Sequence, residues 1–176
     1  MADPELSQEA TSIAGAWMLD LSRSDNFEGF LQLLGHSEEV VQSQVDGERE
    51  YQSLNVIALD EARLAIYKDT AVNRYTERLE LDQEQVRPRR PGGGFLHIIA
   101  SLGDCTRLDG FVIASTIVEP GGQTLEILDT RQLLDGGHAH TQFVTVCKKP
   151  SGEQVAIRRA WVRVAMPRDE HMRLLR

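Results

Sequence analysis

The sequence has few cysteines, no long apolar run and too few basic residues to balance its acidic ones. Cys105 and Cys147 are its two cysteines, too few for a disulfide scaffold, so we expect two reduced thiols. No stretch approaches the roughly 20 apolar residues that span a bilayer. The polar, acidic first dozen residues are unlike a secretory signal, and we expect a cytoplasmic protein.

The charge balance argues against a nucleic-acid partner. The chain has 19 Lys and Arg against 27 Asp and Glu, for a net charge of −8, whereas phosphate binding needs a basic face. At 176 residues and 41% hydrophobic, the chain is long and apolar enough for one packed domain. We assign residues 1–12 to a flexible N-terminal tail, 13–165 to the domain and 166–176 to a charged C-terminal tail.

Most of the domain has the pattern of β-strands separated by turn residues such as Asp109-Gly110 and Pro120-Gly121-Gly122. The predicted strands are residues 13–21, 51–59, 63–68, 73–81, 95–102, 111–118, 124–134, 141–146 and 154–164. The run 87–94, rich in Pro, Gly and Arg, is predicted to be a loop or small insertion. Many short strands at even spacing indicate an all-β barrel or sandwich.

Two helices are predicted between the first and second strands. Apolar residues at 27, 30, 31 and 34 have the spacing of an amphipathic helix. A second short helix is predicted from Ser37 to about Ser43, with Ser37 and the two glutamates after it at its start. A helical pair at this position favours a barrel with a lid. We therefore predict an up-and-down antiparallel β-barrel of about ten strands with a helix-turn-helix lid, wide enough for one small ligand.

Three stretches resemble the intracellular lipid-binding proteins, the calycin family that includes the cytosolic fatty-acid-binding and retinoid-binding proteins. Residues 15–35 resemble the family's G-x-W strand, S-x-N-F turn and first lid helix. Residues 64–84 are similar to the strands that follow the lid. Residues 130–136 look like the K-R-E-L-x-D-G hairpin, and 156–161 stand where the last strand usually reads C-T-R-x-Y. The departures are the two tails, the insertion at 87–94, and Trp161 in place of the usual tyrosine.

The resemblance implies a non-enzymatic carrier that binds a fatty acid or similar hydrophobic carboxylate inside the barrel, as a monomer, without a cofactor. By motif, Arg131 and Arg159 would hold the carboxylate, which suits the paired donors of a guanidinium. Phe30, Leu31 and Leu34 of the lid helix would cover the ligand. Trp17 is expected to be a packing residue of the core.

Strand alternation gives independent support for these positions. Arg159 shares a face with apolar Ile157 and with Trp161, and Arg131 shares one with Ile127 and Asp129. A charged side chain among inward-facing apolar side chains needs an ion-pair or hydrogen-bond partner. Asp129 could neutralise an arginine, weaken the binding of an anionic ligand, or receive a ligand hydroxyl or amine. Trp161 can only donate a hydrogen bond, so an amphipathic ligand other than a long-chain fatty acid stays open.

Two other functions stay open at this point. A barrel enzyme could use Asp129 and His97 as an acid–base pair on a small hydrophobic substrate, although no nucleophile motif, phosphate loop or metal cluster supports it. An interaction protein with a cavity filled by side chains is the second alternative.

Two surface features have simple interpretations. His138 and His140 are an i, i+2 pair without an evident third metal ligand, so we expect solvated side chains and no metal. The basic cluster 87–90 is expected to be a solvated loop, with transient contact to an acidic membrane surface as the sharper hypothesis.

Overall fold

The computed structural model describes residues 12–89, 92–105 and 108–176. Ten strands account for most of the described chain, and their bounds follow in chain order. They are β1 Gly15–Asp20, β2 Leu54–Leu59, β3 Arg63–Asp69, β4 Arg74–Glu80, β5 Gln85–Pro88, β6 Phe95–Ser101, β7 Gly110–Val118, β8 Thr124–Leu134, β9 Ala139–Lys149 and β10 Gln154–Val164. The four-residue strand β5 overlaps the first two residues of the run predicted to be a loop, because Arg87 and Pro88 pair with the start of β6.

The ten strands form one antiparallel sheet in the order β4-β3-β2-β1-β10-β9-β8-β7-β6-β5. Each strand pairs with its neighbour along the chain, except that β10 returns to pair with β1 and β4 and β5 are the two ends of the sheet. An isolated bridge between Leu81 and Ala100 and a 2.6 Å ion pair between Arg87 and Glu77 join those ends. The prediction of a ten-stranded, up-and-down barrel is confirmed, and the barrel is nearly closed.

Two helices connect β1 to β2, as predicted. Helix α1 is Glu28–Leu33 and helix α2 is Glu38–Glu50; residues 25–50 are called the lid below. The predicted end of α2 near Ser43 is wrong, because the helix continues for seven more residues, through Gly47. Hydrogen bonds from Gln42 and Arg49 to Asp46 support its later turns. These hydrogen bonds, together with tertiary contacts, outweigh the low helix propensity of Gly47.

The segment assigned as a C-terminal tail contains a third helix, α3, at Arg168–Leu174. Its end lies on the outside of the barrel, where Leu174 and Leu175 pack on the buried cluster of Ala16, Val56 and Tyr67. Thr76 of β4 donates to the carbonyl of Leu174 at 3.2 Å. In the part of the chain that the structure describes, no helix is both long and apolar enough to cross a membrane.

The core lies inside the barrel around Trp17, which is fully buried and donates its indole N–H to the Ile13 carbonyl at 2.9 Å. Its role as a packing residue is confirmed. The other members are Ile13, Leu19, Ile57, Leu64, Ile66, Leu79, Leu81, Ile98, Ala100, Phe111, Ile113 and Trp161. These core side chains fill one part of the barrel interior, and the cavity lies in the part next to the lid.

Candidate ligand-binding cavity

A cavity of about 510 Å³ lies between the lid and the barrel core. This volume falls in the range of small-molecule sites. All seven predicted site residues line it, namely Arg131, Arg159, Trp161, Asp129, Phe30, Leu31 and Leu34. A cavity of this size runs against the hypothesis of a barrel filled by side chains.

The wall of the cavity is mainly apolar and comes from both the lid and the barrel. Its apolar members are Phe27, Phe30, Leu31 and Leu34 of the lid and Leu96, Ile98, Ile113, Ile117, Ile127, Val144 and Ile157 of the strands. On the strands they stand at alternate positions, because every second side chain points inward. The cavity therefore offers apolar surface to most of a ligand, and its polar groups include two buried arginines, which are described below as the two polar points.

The first polar point is Arg131, whose side chain is 1% exposed. Its Nε and Nη2 donate to the Asp129 carboxylate at 3.4 and 3.3 Å. With the Asn55 amide oriented to satisfy both of its ends, Asn55 Oδ1 accepts from Arg131 Nη1 at 2.9 Å. The guanidinium carbon lies 5.6 Å from the Phe111 ring centroid and 5.9 Å from that of Trp161. Arg131 thus has an internal carboxylate on one edge and aromatic rings around it.

Gln142 connects this cluster to Trp161. Its Nε2 donates to Asp129 Oδ2 at 2.9 Å, and its Oε1 accepts from Trp161 Nε1 at 3.0 Å. Gln142 lies opposite Arg131 in the β8–β9 register, which explains why both reach the same carboxylate. The single N–H of the Trp161 indole is therefore donated to Gln142. In the family that the sequence resembles, a tyrosine stands at this position.

The second polar point is Arg159, whose side chain is 3% exposed. Its Nη1 donates to Glu48 Oε2 at 3.0 Å, and its Nη2 contacts Glu48 Oε1. Nη1 also donates to the Asp25 carbonyl at 3.1 Å, and the guanidinium carbon lies 3.9 Å from the Phe27 ring centroid. All of these partners belong to the lid, so Arg159 joins β10 to the lid.

One nitrogen of Arg159 makes no hydrogen bond within the described structure. This nitrogen, Nε, is buried. An arginine can bind a carboxylate through the edge formed by Nη1 and Nη2 or through the edge formed by Nε and Nη2. Glu48 occupies the first of these edges, and the Nε position of the second is unfilled.

The proposed pairing of Asp129 with His97 does not form. His97 lies on β6 between Leu96 and Ile98, both of which line the cavity, so its side chain points to the other face of the sheet. There its Nδ1 lies 3.3 Å from Glu84 Oε1. Asp129 is instead bound by Arg131 and Gln142, so the acid–base hypothesis for these two residues is wrong.

The expectation that His140 is solvated is also wrong. It is 1% exposed, with its ring centroid 4.6 Å from that of Trp17 and 5.9 Å from that of Trp161. Burial, with the nearby positive charge of Arg131, holds the pKa of His140 well below its usual range. His138 is exposed, and among the described residues no group of His, Cys, Asp or Glu could hold a metal ion.

The basic cluster is only partly a loop. Arg87 belongs to β5 and donates to Glu77 Oε1 at 2.6 Å and to Gln85 Oε1, so it is both paired and partly exposed. Arg90 and Pro91 lie outside the described residues. Membrane contact by this cluster stays a hypothesis.

Sequence reasoning missed several polar residues of the cavity wall, and three of them, Glu48, Gln142 and Asn55, contact the predicted charged residues. Gln142 could have been found, because it falls on the inward face of β9 with Val144. Asn55 sits similarly on β2. Glu48 gave no local signal, because it lies beyond the predicted end of its helix and its partner Arg159 is 111 positions away.

Comparison with known proteins shows a likeness of fold. No family model matches the chain, and no curated protein matches it. Among solved structures, the REP1-NXSQ fatty acid transporter superposes with a TM-score of 0.64 at 15% identity, covering 88% of this chain and 98% of that one. A Schistosoma mansoni fatty acid binding protein in complex with arachidonic acid has a TM-score of 0.58 at 16% identity, covering 90% and 99%.

The human protein cRBP IV gives a TM-score of 0.58 at 14% identity, covering 87% of this chain and 98% of that one. The chain therefore has the barrel fold of the fatty-acid-binding and retinoid-binding proteins over nearly the whole length of each neighbour. The resemblance to the intracellular lipid-binding proteins is confirmed at the level of the fold.

Proposed function

We propose that the protein is a non-enzymatic carrier that binds a fatty acid or similar hydrophobic carboxylate in the barrel, as a cytoplasmic monomer. The observation that carries this proposal is the apolar cavity of about 510 Å³ with two buried arginines in its wall. The fatty acid binding proteins with the same fold support it. The two free cysteines suit a reducing compartment.

The affinity of such a carrier comes chiefly from the apolar part of the ligand. Each buried methylene contributes about 0.8 kcal/mol, so an acyl chain in the cavity gives most of the binding free energy. The arginines then set the position of the head group, because a guanidinium stays charged when water is excluded and matches a carboxylate with paired donors.

Displacement of a fluorescent fatty acid, dansyl-undecanoic acid, tests the proposal. We expect saturable binding by the wild type and weaker binding by Arg131→Met and Arg159→Met, in which methionine keeps an apolar stem but no donor. Arg158→Met is the matched control, because Arg158 is the exposed neighbour of Arg159 on the same strand. Thermal unfolding of each variant confirms that it is folded at the assay temperature.

Absence of binding by the wild type would overturn the fatty-acid proposal. Binding that both variants retain in full would leave a lipid carrier whose head-group site lies away from the arginines. An Arg158→Met variant as weak as the other two would show a general charge effect instead of a site.

A further inference from the structure

We propose that Glu48 occupies the ligand's place on Arg159 when the cavity is empty, and that a bound carboxylate replaces it and releases helix α2 from the barrel. This inference rests on the proposed function, because it assigns a regulation to the same site. It makes Glu48 a built-in competitor of the ligand.

The first support is the match between Glu48 and a ligand head group. Glu48 is a carboxylate with a side chain only 12% exposed, placed against the buried guanidinium of Arg159 through two N–H groups. A fatty-acid carboxylate has the same charge, shape and hydrogen-bonding groups. Two carboxylates on one buried guanidinium leave an uncompensated negative charge, so the state in which both stay bound is disfavoured.

The second support is that exchange can begin without breaking the existing pair. Nε of Arg159 is buried and without a hydrogen bond in the described structure, while the residue lines the cavity. An incoming carboxylate can first accept a hydrogen bond from Nε–H. It then also accepts from the second N–H of Nη2, which lies on the same edge as Nε, and the repulsion between the two carboxylates favours the departure of Glu48.

The third support is the location of the groups that contact Arg159. Its partners Glu48, Asp25 and Phe27 all lie in the lid. Loss of Glu48 therefore removes the charged contact between α2 and β10. Since a ligand shifts an equilibrium only through unequal interactions with its two states, the exchange gives the fatty acid a direct energetic link to the position of α2.

The first experiment measures affinity for a charged and an uncharged probe. Dansyl-undecanoic acid and its methyl ester have the same dansyl group and acyl chain, and the ester replaces the charged carboxylate by an uncharged group. We expect Glu48→Gln to lower the Kd of the acid about five- to tenfold and to leave the Kd of the ester unchanged. Glutamine keeps the size of glutamate and one acceptor oxygen, so the lid keeps its packing.

Glu50→Gln is the matched control, because Glu50 is exposed on the same helix and its substitution removes the same charge. We expect it to leave both Kd values unchanged. Equal gains from Glu48→Gln and Glu50→Gln would overturn the proposal, since the effect would then be general electrostatics. No gain from Glu48→Gln, in a wild type that binds the acid, would overturn it and leave the carrier function standing.

The second experiment needs no variant. Amide hydrogen exchange of residues 38–50 is measured in the wild type with saturating acid and with saturating ester. We expect the acid to speed exchange in α2 relative to the ester, because only the acid displaces Glu48. Equal exchange with the two ligands, or slower exchange with the acid, would overturn the proposal.

Discussion

The two buried ion pairs of the cavity differ in what they connect. Asp129 and Arg131 lie two residues apart on one strand, and their side chains share a face because the strand alternates. Glu48 and Arg159 come from a helix and a strand that lie far apart in the sequence. The first pair is part of the wall, whereas the second joins the lid to the barrel.

The two guanidinium groups are also held differently. Arg131 uses Nε and Nη2 for Asp129 and Nη1 for Asn55, so each of its nitrogens has a partner. Arg159 uses Nη1 and Nη2 and leaves Nε without one. Every nitrogen of Arg131 therefore has a partner within the barrel wall. Arg159 keeps one nitrogen for an incoming carboxylate, as the proposed exchange with Glu48 requires.

The largest effect is expected from Arg131→Met. It leaves the Asp129 carboxylate inside the barrel without its cation, and breaking a buried pair in this way costs about 3 kcal/mol of unfolding free energy. Urea unfolding at pH 7 measures the loss. A loss no greater than that of Arg159→Met would contradict the assignment of Arg131 to a rigid network.

Adding Asp129→Leu to Arg131→Met should recover about 2 kcal/mol of that loss. Both charges are then gone, and two apolar side chains of similar size fill their places. The same urea unfolding, run on the single and double variants as a cycle, isolates the coupling between the two residues. A double variant less stable than Arg131→Met alone would show that Asp129 is held chiefly by Gln142.

Lowering the pH should reduce the free energy of unfolding, because His140 next to Arg131 is buried in its uncharged form. The folded protein holds the pKa of His140 below its ordinary value of 6.5, so the unfolded chain binds the extra proton first as the pH falls. Stability is therefore full above pH 6.5 and decreases below it, by at most about 1.4 kcal/mol per pH unit.

His140→Phe should remove this decrease, because it keeps the aromatic contacts with Trp17 and Trp161 and cannot take up a proton. Urea unfolding at pH 7 and pH 5 provides the measurement, with His138→Gln as the exposed control. An unchanged pH dependence in His140→Phe would mean that other groups cause it.

The smallest global effect is expected from Arg159→Met, about 1 kcal/mol of unfolding free energy. Glu48 can reach water when the lid moves, so it is not left as a buried charge. The local effect should be clear, since amide exchange in α2 should become faster while exchange in β8 and β9 stays unchanged. Uniform acceleration across the barrel would show that the two ion pairs are equivalent.

The same contrast explains what could be predicted from the sequence. The strand pattern placed Asp129 and Arg131 on one inward face, because a period of two is local information. The helix pattern likewise identified α1, whose apolar residues repeat within eight positions. Glu48 could not be found in this way, because its burial depends on a partner that only the closed barrel brings near. His140 lies next to turn residues in the sequence, and its burial depends on Trp17 and Trp161, which come from other strands.

Strand β5 was missed for a related reason. Arg87 and Pro88 have poor strand propensity, and they join the sheet because β6 offers a free edge.

The line between β4 and β5 makes the barrel unequal in stiffness around its circumference. Elsewhere each boundary between strands is a ladder of backbone hydrogen bonds, whereas in the described chain this line is crossed by the Leu81–Ala100 bridge and by side chains such as Arg87 and Glu77. Widening the barrel here would break few backbone hydrogen bonds, among them the one from Asp82 N–H to the Ala100 carbonyl, and would leave the strand ladders intact. We therefore expect any widening of the barrel to occur along this line, as in a split ring, while Arg131 on β8 and Arg159 on β10 keep their places.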